Sequence, residues 1–340
     1  MIELIITLIL SFFIVLIVGN PLINFLKNAG IIGVDQQKKN KPVLPTSGGL
    51  IIAVSFVLSV FIFITLNTFL LKRELNLLEV FAVTSSVLVI TFIGLMDDMA
   101  VEKKKIKNKG LKDYRKGLSQ RLKPALTFFG AVPLMAVAVG TTTMNFPIIG
   151  AVNFGVLFPL VIVPLAVVFV SNAYNMYAGL NGLSEGLGIV IFMSSGIFSI
   201  LNNEFEAALI SFTVVGALIA YLKYGWYPAR ILVGDSMTYL LGALFVSVAV
   251  VGNIEKFSAL CFTPWIIEFI LKARSGFKAR SLGDLQKDGT LKAPYEKIYS
   301  MTHIPMKLFK ITEEKATLFL IGIQIIVCLT SFFLSILKII

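Results

Sequence analysis

Residues 154–171, FGVLFPLVIVPLAVVFVS, form an apolar run without a charged side chain, and the polar segment NAYNMYAGLNGLSE follows directly at 172–185. The run is long enough to cross the hydrocarbon core of a bilayer as one helix. The segment after it holds three asparagines, two glycines and a glutamate. Because an unsatisfied amide is costly next to hydrocarbon, such groups normally line a polar cavity or bind a ligand. The two segments together predict a membrane helix that ends at a polar site.

The composition places the whole chain in a membrane. Its 340 residues are 57% hydrophobic and 14% charged, with a mean hydropathy of +0.89, whereas roughly a quarter of the residues in a soluble protein are charged. The first apolar run, residues 2–18, has neither a basic region before it nor a small-residue cleavage site after it. We therefore expect it to be the first membrane span and not a cleaved signal peptide.

Apolar runs recur along the chain, most of them close to the length of about 20 residues that a bilayer core requires. They predict an all-α polytopic integral membrane protein, with a single transmembrane domain over residues 1–340 and about ten transmembrane helices. The predicted spans are about 1–19, 49–71, 77–96, 124–142, 154–171, 186–201, 207–222, 232–252, 257–271 and 314–337.

The basic residues alternate from one connection to the next. The even-numbered connections contain three Lys or Arg residues in total, whereas the 97–123 connection alone contains ten and the 272–313 connection contains nine. Because Lys and Arg accumulate on the cytoplasmic side of a membrane, we predict the N-terminus outside and the odd-numbered connections in the cytoplasm. These cytoplasmic connections are about 20–48, 97–123, 172–185, 223–231 and 272–313. The polar segment is one of them, so its site would face the cytoplasm from the cell membrane.

Charge, cysteine and histidine usage exclude several classes of function. The net charge of +11 is explained by the same rule and by anionic lipid headgroups, so no nucleic-acid partner is expected. Cys261 and Cys328 lie in apolar runs and form no CxxC motif. His303 is the only histidine, which argues against a His-based zinc site and against a Ser-His-Asp triad.

Three aspartates lie at predicted membrane boundaries. Asp97 and Asp98 follow the third span, and Asp235 begins the eighth. Adjacent carboxylates at such a boundary repel each other and are costly to desolvate, so they indicate a site for a hard cation or for phosphate transfer. Two alternatives remain open. Asp97 and Asp98 would simply face water at the helix end, and Asp235 would complement the dipole of the helix that it begins.

The asparagines and glycines of the polar segment suit the same chemistry. Asn172 and Asn175 are three residues apart and share one face of a helix. Amide oxygens suit Mg²⁺, which takes few protein ligands and keeps waters and substrate phosphates; hydrogen bonding between helices is the alternative. Asn181 and Gly182 indicate a turn, and Gly179 would let a ligand approach the backbone closely. With the aspartates, these residues provide the charge neutralisation and positioning that phosphoryl transfer needs.

The basic residues fall into two groups. The lysines of the 103–112 run are explained by solvent and lipid headgroups. Lys123 returns to the membrane boundary where the aspartates lie. Lys278 and Arg280 have the chemistry to clamp a diphosphate, with an ordinary positive-inside role as the alternative. Residues 45–49, PTSGG, open the second span and suit either a helix start or a loop that contacts a nucleotide.

In their order along the chain, five motifs resemble those of the polyprenyl-phosphate N-acetylhexosamine-1-phosphate transferases. They are PTSGG at 45–49, MDD at 96–98, NAYNMYAGLNGL at 172–183, WYPAR at 226–230 and VGD at 233–235. The resemblance covers essentially the whole chain, including the ten spans. Ala178 and Asn181 stand where the bacterial peptidoglycan branch typically has Asp, and that branch also carries a His-rich motif in its last cytoplasmic loop, where this chain has only His303. The chain therefore resembles most closely the eukaryotic and archaeal UDP-GlcNAc:dolichyl-phosphate transferases, and we expect an archaeal source.

The resemblance implies a reaction. A sugar-1-phosphate, with GlcNAc-1-phosphate favoured among GlcNAc-like options, would move from a UDP-sugar to a polyprenyl (dolichyl) phosphate with release of UMP. This would be the first membrane step of lipid-linked glycan synthesis for protein N-glycosylation. Asn175 and Asp235 would hold Mg²⁺, with Mn²⁺ as the alternative. Asp97 and Asp98 would lie beside the attacking lipid phosphate, with Lys123 near the phosphates.

The resemblance also implies contacts with the substrates. The residues concerned are Thr46, Asn172, Gly179, Asn181, Lys278 and Arg280. Asn181 and Gly179 would face the uridine, and Arg280 would contact the diphosphate or the sugar. Thr46 stands where the eukaryotic branch has Glu, and Leu232 stands where it has an aromatic residue. Because of these two departures, the resemblance does not fix which residues contact the nucleoside. The reaction that it implies is unaffected.

Two other classes of function remain open. A secondary transporter would also carry Asp and Asn on broken helices, but its polar residues would be distributed through the depth of the membrane. A CDP-alcohol phosphotransferase is the second alternative, although its widely spaced aspartates after Asp-Gly are absent from this sequence. The oligomeric state is not fixed by the sequence, and a homodimer is among the alternatives.

Overall fold

The structure is a computed structural model, which describes residues 1–100, 102–106, 110–114, 119, 122–146 and 150–337. Most of these residues are helical. The helices are α1 (Ile2–Asn28), α2 (Gly49–Leu66), α3 (Leu77–Met99), α4 (Leu122–Thr127), α5 (Val132–Ala136), α6 (Val163–Met176), α7 (Leu183–Leu201), α8 (Phe205–Gly225), α9 (Gly234–Val251), α10 (Glu255–Cys261), α11 (Thr263–Arg274), α12 (His303–Leu308) and α13 (Glu313–Ile336). Short turns of other helix types follow α2 at Asn67–Leu71, join α4 to α5 at Phe128–Ala131 and precede α6 at Phe158–Ile162.

The described strands are short and lie in connections between helices. They form four separate antiparallel hairpins, each of two strands. The pairs are β1 (Ile32–Val34) with β2 (Val43–Pro45), β3 (Glu102–Ile106) with β4 (Gly110–Tyr114), β5 (Thr143–Phe146) with β6 (Gly150–Asn153), and β7 (Asp284–Leu285) with β8 (Leu291–Lys292). The predicted all-α fold class is confirmed, because most described residues are helical and the hairpins lie only in connections between helices.

Eight of the described helical segments are long and apolar enough to cross a membrane. They are Ile2–Asn28, Gly49–Leu71, Leu77–Met99, Phe158–Met176, Leu183–Leu201, Phe205–Gly225, Gly234–Val251 and Glu313–Ile336. Each overlaps a predicted apolar run, so the chain is a polytopic membrane protein.

The other two predicted spans are divided into shorter helices. The region 124–142 contains α4 and α5, which reach only from Leu122 to Ala136, and the region 257–271 is shared between α10 and α11. Pro133 lies at the start of α5 and Pro264 at the start of α11. Proline lacks the N–H that would continue a preceding helix, so each proline begins a new one. The count of ten spans therefore stays a prediction.

Helices also extend beyond their apolar runs. Helix α3 continues through Met99 into the predicted connection 97–123, and α6 continues through Met176 into the predicted connection 172–185. The first helix likewise passes its predicted end. The polar segment thus consists of two helix ends joined by the loop 177–182.

Helix α9 is the centre of the bundle. It is buried almost throughout and packs against α2, α3, α6 and α8. Glycines allow this close approach: a Cβ at Gly49 or Gly94 would lie 2.4 Å from backbone atoms of α9, and one at Gly242 would lie 2.4 Å from the backbone of α6. Small residues at helix crossings are typical of membrane bundles, where association depends on close packing. The start of α9, which carries Asp235, is therefore held tightly by its neighbours.

Candidate active site

A cavity of about 960 Å³ opens at one end of the bundle, where α3, α6 and α9 meet the connecting loops. Its wall is assembled from segments that are far apart in the sequence. The main ones are residues 32–36, 175–182, 231–235 and 276–282, together with Thr46, Asp98, Glu185, Thr238 and Lys272. The cavity therefore brings together most of the residues that the sequence predicted for the site.

Lys123 bridges two of the predicted carboxylates. Its Nζ lies 2.6 Å from Oδ2 of Asp97 and 2.7 Å from Oδ2 of Asp235. All three side chains are buried, and Tyr239 donates its hydroxyl hydrogen to Oδ2 of Asp97 over 3.2 Å. A buried cation between two carboxylates offsets their mutual repulsion and part of their desolvation cost. The predicted grouping of Asp97, Lys123 and Asp235 is thus present in the structure.

Asp98 holds the beginning of α9. Its Oδ1 accepts the backbone N–H of Asp235 over 2.8 Å, and its Oδ2 accepts the N–H of Ser236 over 3.2 Å and the hydroxyl of Ser47 over 2.8 Å. A carboxylate at a helix N-terminus satisfies otherwise unpaired N–H groups and complements the helix dipole. Gly234 makes room for it, because a Cβ there would lie 2.3 Å from Oδ2 of Asp98. Asp98 therefore positions Asp235, and its proposed place beside a lipid phosphate stays a prediction.

Asn175 lies beside Asp235 in the cavity wall. Its Nδ2 donates to Oδ1 of Asp235 over 2.6 Å and to Oγ1 of Thr238 over 3.0 Å. Because both amide hydrogens are used, the carbonyl oxygen is left to accept from, or coordinate, a ligand in the cavity. Within the part of the chain that the structure describes, no cluster of three or more His, Cys, Asp or Glu side chains is arranged to hold a metal. The donor set fits Mg²⁺, which takes hard oxygen ligands and often only one or two from protein.

Asn172 lies outside the cavity wall. Its Nδ2 donates to Oγ1 of Thr127 over 3.1 Å and to the carbonyl of Val168 over 2.8 Å. It thus ties α6 to α4, which is the alternative of hydrogen bonding between helices. The structure does not bring Asn172 to the other predicted substrate-binding residues.

Thr46, Gly179 and Asn181 all line the cavity. Gly179 has φ of +126°, a conformation that a side chain would strain,. Oδ1 of Asn181 accepts the backbone N–H of Ala229 over 3.2 Å. This bond leaves the amide NH₂ of Asn181 as the group available to a ligand. The three residues therefore share one cavity wall, and their contact with a nucleotide stays a prediction.

The two predicted basic clamps have different surroundings. Lys278 is exposed and lines the cavity. Arg280 is also exposed, but its guanidinium is paired with Asp284, and it is not part of the cavity wall. The contact of Arg280 with the diphosphate or the sugar stays a prediction. In the basic run, Lys107 and Lys109 lie outside the described residues.

A second buried network of hydrogen bonds and an ion pair supports the long connection before α13. This network was not predicted from the sequence. Glu268 accepts the hydroxyl of Ser300 over 2.9 Å and lies 3.7 Å from Nζ of Lys272. Lys272 in turn donates to Oγ of Ser281 over 2.7 Å, and Ser281 donates to the carbonyl of Met176 over 3.1 Å. The sequence feature that indicates this network is the pair of opposite charges Glu268 and Lys272, which lie one helical turn apart at the end of an apolar run,. The network anchors one cavity wall to the end of α6.

His303 is a structural residue of the same connection. Its side chain is buried, with Nε2 3.0 Å from the carbonyl of Arg280 and Nδ1 accepting the backbone N–H of Tyr299 over 3.4 Å. Burial lowers the pKa of His303 to about 4 from its ordinary value of 6.5, so the imidazole is neutral near pH 7. These backbone contacts hold His303 within the connection before α13.

Glu185 is a further carboxylate of the cavity wall. It is fully buried, and among the described residues neither carboxylate oxygen has a hydrogen-bond partner. Gly225 leaves space for it, because a Cβ at that position would lie 2.1 Å from Oε1 of Glu185. From the sequence, this glutamate was predicted only as part of the polar segment.

Comparison with known proteins gives the same family as the motifs. Residues 80–253 match the model described as glycosyl transferase family 4. A protein of Saccharolobus solfataricus, provisionally named UDP-N-acetylglucosamine–dolichyl-phosphate N-acetylglucosaminephosphotransferase, is 32% identical over 94% of this chain and 92% of its own length. The Dictyostelium discoideum protein of that name is 28% identical over 71% of this chain and 64% of its own. A phospho-N-acetylmuramoyl-pentapeptide-transferase of Halalkalibacterium halodurans is 31% identical over 78% of this chain and 80% of its own.

The matched region begins within α3 and ends just after α9. It includes Asp97, Lys123, Asn175 and Asp235, which the structure joins through ion pairs and a hydrogen bond. The similarity to the Saccharolobus solfataricus protein extends over nearly the whole chain. The resemblance seen in the motifs is confirmed, and the chain belongs to glycosyl transferase family 4.

Proposed function

We propose that this protein transfers GlcNAc-1-phosphate from UDP-GlcNAc to a polyprenyl phosphate of the dolichyl type, and releases UMP. The observation that carries the proposal is the buried group in which Lys123 joins Asp97 to Asp235, with Asn175 beside it at the cavity. The names of the relatives in Saccharolobus and Dictyostelium support the donor and the acceptor. Two anionic substrates have to meet in this reaction, and a mixed cluster of cations and oxygen ligands suits that task.

We further propose that the enzyme depends on Mg²⁺, with Mn²⁺ as a substitute. Asn175 and Asp235 would hold the ion through the amide oxygen of the first and the carboxylate of the second. The remaining ligands would be waters and phosphate oxygens of the donor. When bound, the ion would neutralise charge on the diphosphate.

The chemical step needs little from an acid or a base. A lipid phosphate is largely ionised near neutral pH, since its second pKa is about 6. One of its oxygens forms a bond to the β-phosphorus of the donor, and the bond from that phosphorus to the bridging oxygen breaks. The bridging oxygen keeps the electron pair and leaves with UMP. The products are UMP and a lipid diphosphate that carries the sugar.

The protein side chains have distinct tasks in this scheme. Lys123 keeps Asp97 and Asp235 together and adds positive charge near the phosphates. Asp98 holds the start of α9 and thereby fixes Asp235. Gly179 and Asn181 would meet the uridine, and Lys278 would meet phosphate at the cavity mouth. The cavity would face the cytoplasm, with the N-terminus of the chain outside, because the basic connections lie at this end.

Two site variants test the assignment. Purified protein is incubated with UDP-GlcNAc, a polyprenyl phosphate and Mg²⁺, and UMP release is measured for the wild type and for Asp98→Asn and Asp235→Ala. We expect both variants to lose about hundredfold or more in kcat, because each removes a charge that organises the site. Unchanged activity in both would show that the reaction takes place elsewhere in the molecule.

A further inference from the structure

Gln37 is a buried amide in a loop at the open end of the bundle. It lies in the connection between β1 and β2, and only 3% of its surface is exposed. Its neighbours Gln36 and Lys38 are less buried. A primary amide taken out of water is costly unless its donors and acceptor are paired. The burial of Gln37 therefore requires specific partners.

Both ends of the Gln37 amide are bonded to backbone groups of distant loops. Its Nε2 donates to the carbonyl of Gly179 over 2.7 Å, and its Oε1 accepts the N–H of Gly283 over 2.8 Å. The partners are 142 and 246 residues away in the sequence. One side chain thus joins the first predicted cytoplasmic connection to the third and to the last.

Both partner loops form the wall of the cavity. Gly179 lines it, as do Ser281 and Leu282, which directly precede Gly283. The carbonyl of a trans peptide and the N–H of the next residue point in opposite directions. By holding the carbonyl of Gly179, Gln37 fixes the orientation of the peptide that leads to Leu180, and both of these residues line the cavity.

The neighbouring residue reinforces the same junction. Nζ of Lys38 lies 3.2 Å from Asp35 and 2.5 Å from Oε2 of Glu313. Oε1 of Glu313 accepts the backbone N–H of Asn181 over 2.9 Å. The loop 177–182 is therefore held on both sides of Leu180, by Gln37 through Gly179 and by Lys38 through Glu313.

We infer that Gln37 is a positioning residue for the UDP-sugar. Its amide sets the shape of the donor-binding wall without touching the reacting phosphates. This inference rests on the proposed function, because it takes the cavity to be the donor site. It assigns Gln37 to donor binding and not to the chemical step, which Asp97, Lys123 and Asp235 serve.

Removing the amide should separate binding from chemistry. In Gln37→Ala, we expect the KM for UDP-GlcNAc to rise about tenfold, the effect of losing one to two hydrogen bonds, while kcat stays within about threefold. The dissociation constant for UDP alone, measured by titration, should rise by a similar factor. The matched control is Gln286→Ala, at an exposed glutamine of the β7–β8 hairpin, which should leave both constants unchanged.

A second variant gives a signature that a general loss of stability would not produce. In Gln37→Glu, the ionised side chain still accepts from Gly283 but has no hydrogen to donate to Gly179. Protonation restores a donor, so the KM of this variant, divided by the wild-type KM at each pH, should fall as the pH is lowered from about 8 to about 6. Gln37→Ala should show no such recovery.

Three results would overturn the inference. They are an unchanged KM and UDP affinity in Gln37→Ala, a loss confined to kcat, and a KM ratio for Gln37→Glu that does not change with pH. Wild-type turnover is measured in the same series. If the wild type binds UDP but turns over no UDP-sugar, the proposed function fails while the UDP titrations still test the role of Gln37.

Discussion

At the scale of single residues, Lys123 has the most demanding position. It lies between Asp97 and Asp235, with 8% of its surface exposed. Without it, two buried carboxylates would face each other with no counter-charge, and one of them would take up a proton. The side chain therefore controls the charge of the site as well as its geometry.

Replacing Lys123 by an apolar side chain of similar length tests this role. We expect Lys123→Met to reduce kcat about hundredfold or more, because the site loses its cation and the paired form of its aspartates. UMP release at saturating substrate is the measurement. Lys223→Met is the matched control, since Lys223 is exposed at the end of α8, and a similar loss in both variants would contradict the assignment.

His303 makes a prediction about pH. Because burial lowers its pKa to about 4 in the folded protein, while an unfolded histidine titrates near 6.5, the neutral form stabilises the fold. This contribution is complete above pH 6.5 and is lost as the pH falls toward 4. In thermal unfolding, we expect His303→Gln to be less stable than the wild type at pH 7, with the difference shrinking between about pH 6.5 and about pH 4. A difference that is constant with pH would contradict the neutral, buried histidine.

At the scale of helices, the site depends on how closely α9 packs against its neighbours. The contact of α3 with α9 passes through Gly94, where a Cβ would lie 2.4 Å from Cα of Ser236. The atoms that would have to move belong to backbone at the start of α9. Those same residues supply the N–H groups that Asp98 accepts.

A single methyl group at this contact should therefore disable the enzyme. We expect Gly94→Ala to lower kcat about tenfold or more, since overpacking shifts the start of α9 away from Asp98. Gly322→Ala is the matched control, because a Cβ at Gly322 in α13 meets nothing within 4 Å. Equal activities of the two variants would show that α9 tolerates the displacement.

The helices show how far local sequence carries a prediction. Apolar length identified the eight spanning helices, because a bilayer imposes the same requirement on each. Apolar length did not separate α10 from α11, which begins at a proline. It also did not predict that α3 and α6 continue past the ends of their apolar runs. The ends were missed because Asp97, Asp98 and Asn175 are satisfied by partners from other helices, and such partners cannot be identified from the residues next to them in the chain.

At the scale of the whole molecule, the cavity is a product of distant segments. Residues near positions 37, 179, 283 and 313 meet around one opening, and each comes from a different connection or helix end. The positive-inside pattern predicted that these connections share one face of the membrane. It could not predict that Gln37 would join them, since a lone glutamine in a polar loop has no distinctive pattern. Asn172 was predicted to contact a substrate, and that contact stays a prediction; its amide donates to Thr127 of α4, and the residue lies outside the cavity wall.

In the proposed reaction, the sugar moves together with its phosphate. The most direct test is to incubate the wild-type protein with UDP-GlcNAc, a polyprenyl phosphate and Mg²⁺, and to identify both products by mass spectrometry. We expect UMP and a lipid diphosphate bearing GlcNAc in equal amounts, with neither formed when the lipid phosphate or the divalent ion is omitted. Release of UDP with a lipid monophosphate sugar, or uptake of UDP-GlcNAc into proteoliposomes without turnover, would contradict it.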